Sequence, residues 1–493
     1  MDTWAAELEH RLEALEIDAS LHTPAQDEEN SDEEQPKVVQ ATEVVARYEE
    51  ALRRLAGDVD RLPVILEDES QKPGAKETVC RLVLTLSAHL GKHYWTSPSS
   101  RLQARGVLDR VIAACGCSST LELLIGRPES HDTPHDSHMT SPYVSMATKA
   151  EETAESRGPN SIASIDNEAV GREREKDGGR DNNMVFRGGV IKSLLLLLRS
   201  RLTAESWKKQ PTAKHALIWT LRQLKHPHLS PHINSFLPPL LMLVDDHESY
   251  HKTLGLSGLT HLISNTDPTE LRWYGRADVI YEAIKSMLYM REEAIIHSLH
   301  SCLIILLPVI EGPPTTTVTM PTKPTRTDEV FRILLNNIDM ESKITLRKAY
   351  VGYVGSYIDL LGIYTARHIK QFLRVVVECL EYPDYCGEET RMQTLKALMM
   401  LMKHIWPRVP CHKSEIIKIL LKLVSDLCPQ EDLIPSKPEI LRQLELVSEC
   451  LSTLQLCCDN MEDVYRSLQR DCGGHRGLQF CLETSLKNME CRQ

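Results

Sequence analysis

His226, His228 and His232 lie close enough together to suggest a zinc site. Zinc wants four ligands in a tetrahedron, and no cysteine or carboxylate joins these imidazoles at ligand spacing. The segment reads instead as a polar turn between helices. Cys115-Gly116-Cys117, the pair Cys457-Cys458, and Cys472, Cys481 and Cys491 lack the Cys-x-x-Cys spacing of metal or dithiol sites, and read as free thiols. Gly255-Leu256-Ser257-Gly258 has its second glycine one place too early for a nucleophile turn of the Gly-x-Ser-x-Gly kind. Phosphate loops, dinucleotide fingerprints and His-Glu-x-x-His are absent from the sequence. The expectation is no enzyme, no cofactor and no metal.

The elements around these residues point to holding rather than reacting. Residues 236–263 read as two short apolar helices back to back. Leu237, Leu240, Leu241 and Val244 recur at i, i+3, i+4 and i+7, which places them on one helical face. Pro238 falls near the expected helix start, where its missing N–H costs little. Asp246 stands at the turn, where it or Asp245 could cap the second helix, and Lys252 follows six residues later, within reach of the aspartate of its own or a neighbouring unit in an exposed pair. Gly255 and Gly258 weaken a helix unless the neighbouring helix packs closely there.

The unit recurs. With Lys252 as anchor, comparable segments follow Lys214, Glu292, Arg347, Arg391 and Lys437, at spacings of 38, 40, 55, 44 and 46 residues. The longest spacing contains a Pro/Thr-rich insert at 312–327. Seven residues after the anchors stand Leu221, Leu259, Leu299, Val354, Leu398 and Leu444. Ten residues after stand Leu224, Leu262, Cys302, Tyr357, Leu401 and Val447. A period of roughly 40–47 residues belongs to HEAT and armadillo arrays, whose hairpins bury their apolar faces only by stacking. An all-α solenoid is expected over 185–493, with a non-repetitive helical bundle as the alternative.

Charge and composition divide the rest. Net charge is −12, and residues 1–34 carry twelve Asp/Glu against one Arg, so the remainder is nearly neutral. A near-neutral solenoid with an acidic tail is a poor match for nucleic acid. Residues 1–19 read as an amphipathic helix with Trp4, Leu8, Leu12 and Leu15 on one side, expected to pack on its own solenoid, with insertion in a partner's groove as the alternative. The stretch 20–36 reads as an acidic disordered linker, with Ser31 either a site for an acidophilic kinase or an incidental serine of a solvated linker, and 37–126 as an N-terminal helical segment. Residues 127–184 are polar and poor in apolar types, and read as a disordered insert. The acidic N-terminus lacks a secretory pattern, and the apolar runs 236–244 and 302–310 fall short of the ~20 residues that span a bilayer. A soluble protein of the cytoplasm, with the nucleus as a second compartment, is expected.

Several short stretches carry a family resemblance. Leu254-Gly255-Leu256 and Leu271-Arg272-Trp273-Tyr274-Gly275-Arg276-Ala277 resemble the Tel-two-interacting protein two family, the small HEAT-like subunit of the Triple T (TTT) complex. So do Leu346-Arg347-Lys348-Ala349-Tyr350, Leu361-Gly362-Ile363 with Arg367-His368, and His404-Ile405-Trp406-Pro407-Arg408-Val409. The likeness covers roughly 235–425. It implies a non-enzymatic co-chaperone scaffold that joins the Tel-two subunit and the larger Tel-two-interacting protein one. With the ninety-kilodalton heat-shock chaperone, these mature phosphatidylinositol-3-kinase-related kinases such as mTOR, ATM and ATR, which serve DNA-damage and nutrient signalling. The solenoid pattern by itself equally allows an unrelated adaptor for transport or phosphatase assembly. Trp273, Tyr274, Arg276, Trp406 and Arg408 are the partner-binding candidates, because aromatic and Arg side chains dominate interface hot spots. The alternative for each cluster is structural: closing a hairpin loop, or ending a helix.

Overall fold

The computed structural model describes residues 2–16, 34–66, 72–93, 95–126, 186, 188–312, 323–383, 388–429, 437–471 and 474–490. Ser31, most of the expected linker and the expected insert at 127–184 lie outside them. Among the described residues every regular element is helical. The N-terminal part comprises α1 (Asp2–Glu13), α2 (Glu34–Val59), α3 (Leu62–Leu66), α4 (Lys72–His89), α5 (Pro98–Ala114) and α6 (Thr120–Ile125). Helix α2 therefore takes in the last three residues expected to be linker. Hairpins follow: α7 (Ile191–Arg201) with α8 (Pro211–Gln223), then α9 (Ile233–Asp245) with α10 (Ser249–Ser264). The short α11 (Pro268–Trp273) links to α12 (Arg276–Lys285) and α13 (Glu293–Glu311). After these come α14 (Arg326–Met340) with α15 (Ile344–Leu361), α16 (Ile369–Glu381) with α17 (Glu389–His404), α18 (Lys413–Leu427) with α19 (Pro438–Cys457), and α20 (Met461–Asp471) with α21 (Arg476–Glu490).

The helices form a two-layer solenoid. Helices α4, α8, α10, α13, α15, α17, α19 and α21 make one continuous layer, each packed against the next. The first helix of each hairpin lies outside it. All six residues seven places after the anchors are buried, and so are all six at ten places. Helix α13 is, among the described residues, the one long and apolar enough to cross a bilayer. Here it lies between α10 and α15 with Ile295, Leu299, Leu303 and Leu306 buried, a core helix of the stack. At the N-terminus Leu8, Leu12 and Leu15 of the α1 segment are buried, and α1 packs on α2 and α4.

The opening hairpin is built differently from its sequence reading in three respects. Helix α9 begins at Ile233, so Pro238 and Pro239 sit inside it rather than near its start. Asp246 does not cap the next helix: it ends α9 in extended conformation, and Glu248, without a side-chain cap, precedes α10. Lys252 makes no exposed ion pair. It is buried, and its ammonium donates to the main-chain carbonyls of Asp246 and Val244. The same device recurs: Arg347 donates to the Glu341 carbonyl at 3.1 and 2.6 Å, and Arg391 to that of Glu381 at 3.3 Å. These three anchors thus tie down the free carbonyl end of the preceding outer helix, whose last C=O groups have no intrahelical donor. Glu292, the anchor of opposite sign, instead accepts from Ser249 of the preceding hairpin. The glycines mark close contact: a Cβ on Gly255 would lie 2.8 Å from Val244 Cγ2, and one on Gly258 would lie 2.4 Å from Leu240 Cδ2.

Candidate protein-binding surface

Two edges run along the solenoid, one holding the turns within hairpins, the other the links between hairpins. Each edge is stitched by polar rungs. Within the hairpin turns Lys208 Nζ meets Asp246 Oδ1 at 2.6 Å, and Arg291 donates to both Glu341 oxygens at 2.9 and 2.8 Å. Lys348 pairs with Glu389 at 2.5 Å on the same edge. On the linking edge Arg276 donates to Asn234 Oδ1 at 2.8 Å, and Arg326 to Asp278 at 2.5 Å. Arg367 and His368 both reach the buried Asp328 carboxylate, at 2.7 and 2.8 Å.

The most charged interior cluster belongs to the first of these rungs. His251 is buried; its Nδ1–H donates to Asp246 at 2.5 Å, and its Nε2 accepts from Lys214 at 2.8 Å. Burial pushes the Asp246 carboxyl up, but hydrogen bonds from Lys208 and His251 outweigh this and hold it well below the usual carboxylate range. Burial lowers the Lys214 ammonium to about 8 despite the nearby Glu248 and Asp246, and burial likewise lowers His251. Asp246, Glu248 and His251 present ligand atoms within 4.8 Å of one another, a geometry that could suit a cation. The His251 nitrogen that faces these carboxylates already donates its hydrogen to Asp246, and Lys208 holds the other Asp246 oxygen, so the cluster is joined as a hydrogen-bonded relay. The buried thiols of Cys80, Cys115, Cys302 and Cys481 are pushed up to about 12 by desolvation, which disarms them as nucleophiles.

The partner-binding candidates fall on the linking edge. Trp273 is 83% exposed, Tyr274 65% and Trp406 61%, and Arg408 is exposed beside the last. Ile363, at the equivalent link after α15, is also half exposed. Trp273 is the last residue of α11, and Trp406 follows directly on the end of α17. Arg276 differs: it is spent on Asn234, on Glu270 at 2.9 Å, and on the Tyr274 ring, whose centroid lies 4.6 Å from its guanidinium. It positions Tyr274 and joins hairpins, and is not free for a partner. Trp273 and Trp406 are not brought together. They stand three hairpins apart on one edge, on the order of 30 Å at ~10 Å per helix. The hairpin-turn edge has its own exposed residues, Tyr289, Met340 and Tyr382, which the sequence reading missed. Each ends an outer helix, and the mismatch of an apolar residue with a turn position was the available signal.

The sequence pattern of the Tti2 family matches residues 172–386. TELO2-interacting protein 2 of Mus musculus is 30% identical over 447 residues, covering 89% of this chain and 74% of that protein. The Homo sapiens protein of the same name is 36% identical over 269 residues, 55% of this chain and 53% of that one. Among solved structures, Kap121p bound to RanGTP superposes with a TM-score of 0.47 at 12% identity, covering 95% of this chain and 37% of that one.

Proposed function

The chain belongs to the Tti2 family, and from that premise we propose that it is the small scaffold subunit of a TTT-type co-chaperone complex. Membership of the family supports a place in that complex, and the helical-repeat fold points to a non-catalytic role. In this reading the chain holds the Tel-two subunit and the larger Tel-two-interacting protein one. Together with the ninety-kilodalton heat-shock chaperone they support maturation of phosphatidylinositol-3-kinase-related kinases in the cytoplasm and nucleus. The observation that carries the reading is the match to the mouse relative along most of both chains.

The linking edge supplies the physical means. Trp273, Tyr274 and Trp406 leave large apolar rings in water, where covering each would be worth about 2–3 kcal/mol. Long, spaced contacts of this kind suit a surface laid along another solenoid. The test is affinity purification of the full chain, with quantitative mass spectrometry of what it retains. Recovery of the Tel-two subunit and its larger partner is expected. Retention of neither would overturn the proposal. Trp273→Ala with Trp406→Ala should lower that recovery at least about tenfold, while thermal melting of the isolated chain stays within a degree or two.

A further inference from the structure

The outer layer has an opening between α7 and α9. Helices α14, α16 and α18 pack side by side, and α9 packs on α12, but α7 and α9 are parted by a groove of about 640 Å³. Its α7 wall carries Lys192, Leu195, Leu196 and Arg199, the i, i+3, i+4 and i+7 stripe of one helical face. Its α9 wall carries Pro238, Pro239 and Met242. Leu196 is 67% exposed in a helix whose other leucines are largely covered.

The charge around this apolar slot is of one sign. Helix α7 contains no Asp or Glu, and α9 has none before Asp245 at its far end. Lys192 and Arg199 are exposed and have no ion-pair partner among the described residues, although the whole chain is acidic at −12. Lys192 also helps, after burial, to lower the His232 imidazole on the rim. The prolines add acceptors. Because Pro238 and Pro239 lack N–H groups, the carbonyls of Asn234 and Ser235 on this wall lose their i+4 donors. The slot therefore offers apolar packing along about two turns of helix, cations at both ends of the stripe and spare main-chain acceptors.

We propose that this groove receives an amphipathic helix of a partner subunit, with apolar anchors at helical spacing and Asp or Glu at its flanks. The geometry is that of helix-in-groove recognition, in which the groove fixes the anchors and the rim charges choose the partner. The proposal rests on the scaffold reading and adds to it a second contact, distinct from the aromatic edge. Lys192 would pair with one acidic flank and Arg199 with the other.

The test places a photo-crosslinking benzoylphenylalanine at position 196 of the full chain, expressed in cells containing the partner subunits, and maps the crosslinked peptide by mass spectrometry. A segment of another protein is expected, with apolar residues at i, i+3 or i+4 and i+7 and acidic flanks. Lys192→Glu with Arg199→Glu should lower its yield at least about tenfold. A control pair on exposed lysines of other helices, Lys370→Glu with Lys396→Glu, should leave it unchanged. A crosslink to residues 127–185 of the chain itself, to a segment without acidic flanks, or equally in the charge-reversed chain overturns the proposal, as does no crosslink. If the Tel-two subunit still co-purifies in those cases, the scaffold reading stands and the groove alone fails. If the wild-type chain retains no such subunit, the scaffold reading itself fails.

Discussion

Asp246 shows how far residue identity and residue role can part. Its carboxylate joins Lys208 to His251 and through it to Lys214, inside a turn where almost no water reaches. Asp246→Ala should cost roughly 2–4 kcal/mol in urea unfolding, because the buried His251 N–H and the half-exposed Lys208 ammonium both lose their acceptor. Lys208→Ala should cost less, since that ammonium is half exposed and water can replace its partner. The pH sign follows from the depressed carboxyl: its contribution is full above about pH 4 and is lost as pH falls further. Asp246→Asn should flatten that acid limb of the stability curve, and an unchanged limb would remove Asp246 as its source. Spacing alone picked out Asp246 and Lys252, but not their roles. A capping aspartate and a relay aspartate look alike in one dimension, and Lys208 lies 38 residues away. Gly258 was the better-read residue. Close packing was expected there, and an added methyl would meet Leu240 and Ile218, so Gly258→Ala should destabilise by about 1–3 kcal/mol despite its better helix propensity.

Helices bring their own titration behaviour to the stack. In α13, His300 is fully buried against the Tyr357 hydroxyl at 2.8 Å, and desolvation lowers it to about 3. His89 of α4, held by the Leu15 carbonyl at 2.8 Å, is lowered by burial to about 4. A histidine whose folded value lies below its unfolded value is stabilising when neutral. Stability is therefore full above about pH 6.5 and falls as pH drops from there toward the folded values. Each such ring can contribute a slope approaching 1.4 kcal/mol per pH unit in that window. Urea midpoints at pH 7.5 and 5.0 should differ clearly in the wild-type chain, and His300→Asn should narrow the difference; an equal difference would absolve His300. At this scale the sequence was most readable. The +7 and +10 stripes located the inner helices because burial repeats with the helical period. The ends were less legible, since the extension of α9 back to Ile233 overrides the proline signal through packing of Ile233 and Phe236.

The whole chain is a stack in which hairpins touch mainly their neighbours, so protection against hydrogen exchange should peak in α10, α13 and α15, which have neighbours on both sides. It should decline toward α1 and α20–α21, where one side is missing. Uniform protection along the chain would show a single cooperative body instead. Repeat period and family resemblance reached this scale from the sequence. The open α7–α9 groove did not, because it depends on two helices separated by 31 residues failing to close on one another. The two rows of rungs carry a mechanical consequence. A stack pinned along both edges bends only if one row lengthens while the other shortens, so the fixed reach of Arg276, Arg326 and Arg367 sets its curvature. Trp273 and Trp406 lie on the edge those arginines pin, three hairpins apart. Stretching each step by a single ångström would move the two rings about 3 Å further from one another. The reach of these arginine side chains thus acts as a ruler for whatever lies across both tryptophans.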